Sequence, residues 1–447
     1  MASKSKRART IKQRNLAKDF LYWAMAVFII KLIIISNIKG DAWLGADGEN
    51  YLTGFDDLIK DGIFSKESIL NYWPAGYPLF ILLLSIIGKS FVLTTLSIVQ
   101  SALFSFAIYF FAIQLSKTKL RKYAYLSFLL ILLNPTLSLN SMAVGYESIA
   151  ASGYLIVAGI IIKDLIEKNE KNFIWLVVTT SAIFGFLSFI QPRLIVAGIL
   201  VNLTWLFIRK PWKSAAFLIA ISLAVTLFFP ATLIYRNHKA TGQNSVSTNL
   251  GATMNIGAGD NAKGGYDPKN LGVPCNVSGT PSQQDNQRVK CVINWYLSNP
   301  TKALKLFYNK SLYFWSPWYG PEANGTMARN PWLKISPLQN IEKSSPDGGK
   351  LIYGGFGKFI SWLWLLGGLA LFIYGLFTLW RLKSIERVIG ATAGIVVVSS
   401  WLITLISIGD HRFRLPVLGM SLFLQAVGIR TIFWGGKPQM VEGPALR

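Results

Sequence analysis

The sequence predicts an all-α polytopic membrane protein with about ten transmembrane helices. Three observations lead there. Apolar runs near twenty residues long recur along the 447-residue chain, and that length matches the hydrocarbon core of a bilayer. Charged residues make up only 15% of the chain and hydrophobic residues 52%, against roughly a quarter charged in soluble domains. The basic residues gather in short links between alternate runs, the pattern of the positive-inside rule. In lipid such runs must be helices, because a helix satisfies its own backbone hydrogen bonds.

The elements follow in order. Segment 1–19 carries seven Lys or Arg ahead of Asp19 and is expected in the cytoplasm beside anionic lipid. The first run, Phe20–Asn37, is too long for a cleavable signal peptide and lacks a small-residue cleavage site after it. Further spans are expected at Phe91–Leu115, Ala124–Ser141, Ala150–Ile162 (starting near Ser148), Phe173–Ile190, Leu194–Ile208, Ala215–Tyr235, Phe356–Leu379, Val388–Ile408 and Leu415–Ile432. The chain thus divides into the basic terminus, an N-terminal transmembrane module 20–235 with a first outer loop 38–90, an extracytoplasmic loop module 236–355, C-terminal helices 356–432 and a cytoplasmic tail 433–447.

This topology puts "SKTKLRKY", "KDLIEKNEKN", "RKPWKS" and "WRLKSIER" inside with both termini, where basic density is several times that outside. It accounts for the net charge of +24 without nucleic acid as a partner. The run "GYPLFILLLSIIG", 76–88, is about half a span. A crossing there would move "SKTKLRKY" outside, so a helix dipping into the outer leaflet is expected. Lys31, within the first span, is expected to snorkel to the outer surface.

The loop module between spans seven and eight is rich in Gly, Pro, Asn, Ser and Trp, the turn chemistry of an ordered extracytoplasmic segment. Cys275 and Cys291 both lie in it, where a disulfide is compatible with the compartment; two free thiols are the alternative. The stretch "GATMNIGAGDNAKGGY" lacks the strand, helix and lysine of a nucleotide-binding loop and is expected to cover the outer face.

Asp47 and Glu49 stand where the chain leaves the first span. After them Tyr51, Leu52, Phe55, Leu58, Ile59 and Ile63 recur at helical spacing, an amphipathic helix expected to lie flat on the outer surface. Asp47 at its start reads as an N-cap or as a base at the membrane rim. Asp47, Glu147, Arg193, Arg236, Arg412 and Arg414 fall in five separate outer loops or helix ends, and charges so near the apolar region usually serve a site or pair with one another.

Five stretches together resemble the GT-C superfamily of integral-membrane glycosyltransferases. The branch they resemble contains bacterial relatives of protein O-mannosyltransferases, aminoarabinose transferases and lipopolysaccharide-core galacturonosyltransferases. The stretches are "GADGENYLTGFDDLIKDGIFS" with "NYWPAGYPLFI", then "LNPTLSLNSMAVGYESIAASGYLI", "QPRLIVAG", "YRNHKATGQNSVSTNLGATMNIGAG" and "GDHRFRLPVLG". Ala75, the order around Arg193, and Leu250–Gly251 depart from the family's pattern.

The resemblance implies a GT-C-like fold and transfer of a sugar from a polyprenyl-phosphate donor to a hydroxyl on a lipid, glycan or protein acceptor. It places the reaction on the outer face of a plasma membrane, in bacteria the inner one. Asp47 is then the expected general base and Glu147 a second acid that orients the acceptor or a cation. Arg236, Arg412 and Arg414 are expected to hold the lipid phosphate, with Arg193, Glu49 and His238 as further binding candidates. A divalent cation shared by Glu147, His238 and His411 is a further expectation, at a spacing that is not diagnostic. A lipid-linked polysaccharide polymerase or ligase and a transporter are the alternatives. Acids at the rim favour transfer, whereas acids at mid-bilayer favour transport.

Overall fold

The computed structural model describes residues 2–37, 47–266, 270, 272–316, 355–382 and 385–434. Expectations for 38–46, 317–354 and 435–447 lie outside these residues. The first helices are α1 (Ala2–Asn37), α2 (Gly48–Asp61), α3 (Ile69–Tyr72), α4 (Gly76–Ser85), α5 (Val92–Ser116), α6 (Arg121–Leu132) and α7 (Pro135–Asn140). Next come α8 (Glu147–Glu167), α9 (Phe173–Ile190), α10 (Ile195–Arg209) and α11 (Trp212–Thr241). The loop module contributes α12 (Leu250–Ile256), α13 (Pro281–Ser298) and α14 (Pro300–Trp315), and the C-terminal part α15 (Gly355–Trp380), α16 (Ile385–Ile406) and α17 (Leu415–Phe433). Among the described residues there is no strand, only an isolated bridge between Gly265 and Gly409.

Nine helical stretches among the described residues are long and apolar enough to cross a membrane. The tenth expected span, Ala124–Ser141, is not one continuous helix. It is interrupted at Asn134–Pro135, because Pro135 has no amide hydrogen to donate and drives Asn134 into an extended conformation. The Asn134 side chain caps α7 by accepting from the Leu137 amide at 2.9 Å. The two pieces still return the chain along α5. Ser97 and Gln100, near the start of α5, donate to the carbonyls of Met142 and Ala143, just past the end of α7.

The half-span is short, as expected. Ten residues of α4 rise about 15 Å, half the thickness of a hydrocarbon core. It packs against α2, α5 and α9. Gly76 lies on the end of α9, where a Cβ would come 1.9 Å from the Phe189 carbonyl oxygen. α2 buries the expected face with Tyr51, Phe55 and Leu58, while Ile63, past the helix end, is exposed.

Lys31 departs from expectation. It is 1% exposed, donates to Ser141 Oγ at 2.9 Å, and lies 4.4 Å from the Phe104 ring centroid. Its position on α1 faces α5 and α7 rather than lipid, so the ammonium finds a hydroxyl and a ring instead of the interface.

The bundle is organised around α8 and α17. In each, 78% of the apolar stretch is buried, against 28% for α11 on the lipid side. Polar contacts add to the packing: Asn202 of α10 donates to Ser181 of α9 and Ser222 of α11, both at 3.0 Å. Two central helices therefore begin at the same end of the bundle, one with Glu147, the other preceded by the 3-10 turn His411–Arg414.

The loop module is anchored on that same end. Cys275 and Cys291 are disulfide-bonded, tying the loop before α13 to that helix. Lys310 of α14 donates to the carbonyls of Leu405 and Ser407 at the end of α16 and to Tyr296 Oη. Burial pushes its ammonium down to about 7. The amide of Gly409 donates to the Gly264 carbonyl at 2.7 Å, so the glycine-rich stretch braces the segment leading to Arg412.

Candidate active site

Asp47 occupies the N-cap position of α2 but makes no capping hydrogen bond with its side chain. Instead Oδ2 lies 3.0 Å from Nη2 of Arg412. Nε of the same guanidinium lies 3.7 Å from Oε1 of Glu147, the first residue of α8. Residues from the first outer loop, the middle of the chain and the start of the last helix thus meet. All three are buried, with Asp47 3%, Glu147 4% and Arg412 6% exposed. Both acids stand at helix N-termini, where the peptide dipoles favour negative charge.

Local sequence sets each position. Gly145 makes room for Glu147, since a Cβ there would come 2.5 Å from Oε2. Its amide donates to Tyr77 Oη at 2.8 Å, which ties the turn before α8 to α4. Asp410 Oδ1 accepts from the Arg412 amide at 2.9 Å and so caps the His411–Arg414 turn. Pro416 then opens α17, a position where its missing donor is harmless.

A second guanidinium flanks the cluster. Arg193 donates to Tyr146 Oη, and its Cζ lies 3.6 Å from the Phe413 ring centroid. Arg412 Cζ lies 5.2 Å from the same centroid, so one aromatic ring holds two cations. Arg193 is half-buried and lines a small cavity of about 10 Å³ with Tyr154, Ser399, Ser400 and Thr404.

Several buried polar atoms of this cluster have no hydrogen-bond partner: both carboxylate oxygens of Asp47, Tyr51 Oη, Asp410 Oδ2, and Nε and Nη1 of Arg412. The Asp47–Arg412 approach is therefore an ion pair without hydrogen-bond alignment. A buried unsatisfied polar group costs about 1–3 kcal/mol, and a ligand bound here could supply the missing partners. Burial pushes the Tyr146 hydroxyl up to about 12, against the opposing pull of Arg193. Burial, then Asp47, raises Tyr51 as well. Both therefore stay phenols at neutral pH and can donate. Burial also pushes the Asp410 carboxyl up to about 6, although Arg412 and its amide pull it down.

Other expected residues are engaged elsewhere. Arg236 donates to the carbonyls of Ile63, Ser65 and Leu70 and to the side chains of Asn71 and Asn237, clamping the end of the first outer loop onto α11. Arg414 donates to the carbonyls of Phe314 and Trp315 and fixes the end of α14. Neither guanidinium is brought to the Asp47 cluster. Glu49 and His238 are exposed. His411 is buried, with Nδ1 3.7 Å from Asp410 Oδ1. The cation set Glu147, His238 and His411 is not assembled, and the described residues contain no group of three or more His, Cys, Asp or Glu placed to hold a metal.

Tyr51, Tyr146, Asp410 and Phe413 joined the cluster without having been singled out. Tyr51 is one helical turn from Asp47 and so shares its face, yet it reads from sequence as part of the apolar stripe. Asp410 is visible in "GDHRFRLP" but reads there as an ordinary partner for adjacent arginines.

No protein-family model matches this sequence, and no curated protein matches it. Among solved structures, the chain is similar to the archaeal oligosaccharyltransferase AglB from Archaeoglobus fulgidus, determined with an inhibitory peptide and a dolichol-phosphate. Identity is 12% and the TM-score 0.47, over 93% of this chain and 51% of that one. The chain thus spans about half the length of that enzyme.

Proposed function

We propose that this protein is a membrane glycosyltransferase that moves a sugar from a polyprenyl phosphate to an acceptor hydroxyl, with inversion at the anomeric carbon. The observation that carries the reading is the buried meeting of Asp47, Glu147 and Arg412 at helix ends, with donors and acceptors left unpartnered. The motifs quoted above support it. The acids at helix ends, not mid-span, weigh against a transporter.

In this mechanism an acceptor hydroxyl enters beside Asp47. Its oxygen attacks the anomeric carbon while its proton passes to the Asp47 carboxylate, and the bond from that carbon to the phosphate oxygen breaks. The leaving phosphate is a weak base that needs a counter-charge, not a proton. Arg412 and Arg193, both beside the Phe413 ring, supply it through their forked donors. Stabilising this developing charge is worth several kcal/mol in a site closed to water. Glu147 orients the acceptor through the shared Arg412. A single base opposite the leaving group gives inversion, by analogy with single-displacement glycoside chemistry.

Orientation follows from the opposite end of the bundle. The basic links lie between the helix ends remote from Asp47, as in the Arg209 and Lys210 contacts to Glu170. The positive-inside rule then puts the links and both termini in the cytoplasm and the site on the extracytoplasmic face, in bacteria that of the inner membrane.

The test is reconstitution with a panel of labelled polyprenyl-phosphate sugars, comparing wild type with Asp47→Asn. Wild type should consume one donor, and the variant should lose about 10²–10⁴ in rate. Full activity in Asp47→Asn would remove it from the mechanism. Consumption of lipid pyrophosphates alone would support a polymerase or ligase instead.

A further inference from the structure

Helices α13 and α14 pack as a hairpin, with the Tyr296 and Phe307 rings 5.4 Å apart, and leave large apolar side chains on the outside. The exposed stripe of α13 runs Asn286, Lys290, Ile293, Leu297, polar at its start and apolar toward the turn at Asn299. On α14 the exposed stripe holds Thr301, Leu304 and Tyr308. Leu297 is 75% exposed and Leu304 67%. Apolar surface of this size marks an interaction face, and the gradient along α13 puts that face at the tip of the hairpin.

Contacts with the spans fix the height of the tip. Tyr296 Oη donates to the carbonyl of Ile406, the last residue of α16, at 3.2 Å. Trp401 Nε1, inside that span, donates to Ser311 Oγ at 3.0 Å. Trp315 packs on Trp401 and on Phe372 of α15, with ring centroids 5.7 and 5.1 Å away. Helix α14 therefore descends along α16. Trp401 is about 8 Å inside the end of the span, and Leu304 about 10 Å outward from Ser311 along α14, so Leu304 comes level with the boundary of acyl chains and headgroups. Leu402 and Ile406 are exposed on the lipid side of α16 at this end. Charge complements an anionic surface. The two helices carry Arg288, Lys290, Lys302, Lys305 and Lys310 against one acid, Asp285, which is buried and accepts from the Gly251 amide. Lys290 and Lys305 are exposed within a turn of Ile293 and Leu304.

We propose that the tip of the α13–α14 hairpin is a membrane-inserted element: Ile293, Leu297, Leu304 and Tyr308 lie in the leaflet on the Asp47 side, against acyl chains and anionic headgroups. This holds whether or not the Asp47 cluster transfers a sugar. The leaflet then bears on that cluster through α14, whose Phe314 and Trp315 carbonyls hold Arg414 on the turn that carries Arg412.

The experiment is spin-label accessibility of the full chain in nanodiscs of phosphatidylcholine and phosphatidylglycerol. Labels are attached in Asn286→Cys, Leu297→Cys and Leu304→Cys, all exposed positions; Cys275 and Cys291 are disulfide-bonded and take none. At the two leucine positions the ratio of oxygen to nickel-chelate collisions should exceed that at Asn286 by roughly tenfold, the contrast between the headgroup boundary and water. A ratio equal to that at Asn286 overturns the proposal. So do few collisions with both reagents, which would give the face to segment 317–354 or to a second copy of the chain. A second measurement uses the unaltered protein, photolabelled by a phosphatidylcholine with a diazirine at the top of its acyl chain. Peptides from 293–308 should carry the adduct and those from 281–290 should not. No adduct within 293–308 overturns the proposal as well.

Discussion

Helix α8 carries a buried acid near each end, and the two ends treat it differently. At the basic end, Asp164 Oδ2 accepts from Trp205 Nε1 at 3.0 Å and Arg209 Nε at 2.8 Å, and Oδ1 accepts from Arg209 Nη2 at 3.2 Å. Both oxygens are paired, and the cluster ties α8 to α10. At the other end, Glu147 stands 3.7 Å from Arg412, and the neighbouring Asp47 has neither oxygen hydrogen-bonded. A buried charge pair repays its desolvation only when its remaining lone pairs and protons are satisfied. The Asp164 cluster meets that condition within the chain and the Asp47 cluster does not. The first holds helices together, and the second is where the proposed function places a ligand.

The largest expected effect separates the two by stability. Asp164→Ala removes the two-oxygen partner of half-buried Arg209, which keeps Glu170, and leaves Trp205 Nε1 without its acceptor; it should lower unfolding free energy by about 3 kcal/mol, measured by denaturant titration in detergent. Transfer activity per folded molecule should be unchanged. Arg412→Gln should act chiefly on rate, lowering kcat/KM per folded molecule by about 10²–10³, the size typical for loss of a charge-stabilising donor. It also takes the counter-charge from buried Asp47 and Glu147, so the folded fraction is measured beside the rate. Cys275→Ser opens a disulfide with a sequence separation of 16 and should destabilise by about 2–3 kcal/mol, read as earlier proteolysis of the loop module. The smallest effect sharpens the contrast from the other side. His238→Ala, on the exposed face of α11, should change stability by less than about 0.5 kcal/mol and leave the rate unaltered.

Much of the fold was legible because hydropathy and charge report the two constraints a bilayer imposes, length and sidedness. The break at Asn134–Pro135 was not, since a proline at a helix start leaves the apolar average of its surroundings unchanged. Nor was the fate of Lys31, because hydropathy does not say which side of α1 meets α5. In the proposed site, Asp47, Glu147 and Arg412, which the fold brings together, stand out by residue type at helix ends. Arg236 and Arg414 could not be told apart from Arg412 on that basis. Their partners are backbone carbonyls of Ile63, Ser65, Leu70, Phe314 and Trp315, and no sequence pattern marks which carbonyls a fold leaves unpaired.

The most direct test of a shared reacting centre is a double-mutant cycle between Asp47→Asn and Arg412→Gln, with kcat/KM measured on the lipid-phosphate sugar that wild type consumes. If the carboxylate and the guanidinium act in one transition state, the double variant should be little slower than the worse single variant. Two losses that multiply in full would show independent roles at separate places and contradict the site described here.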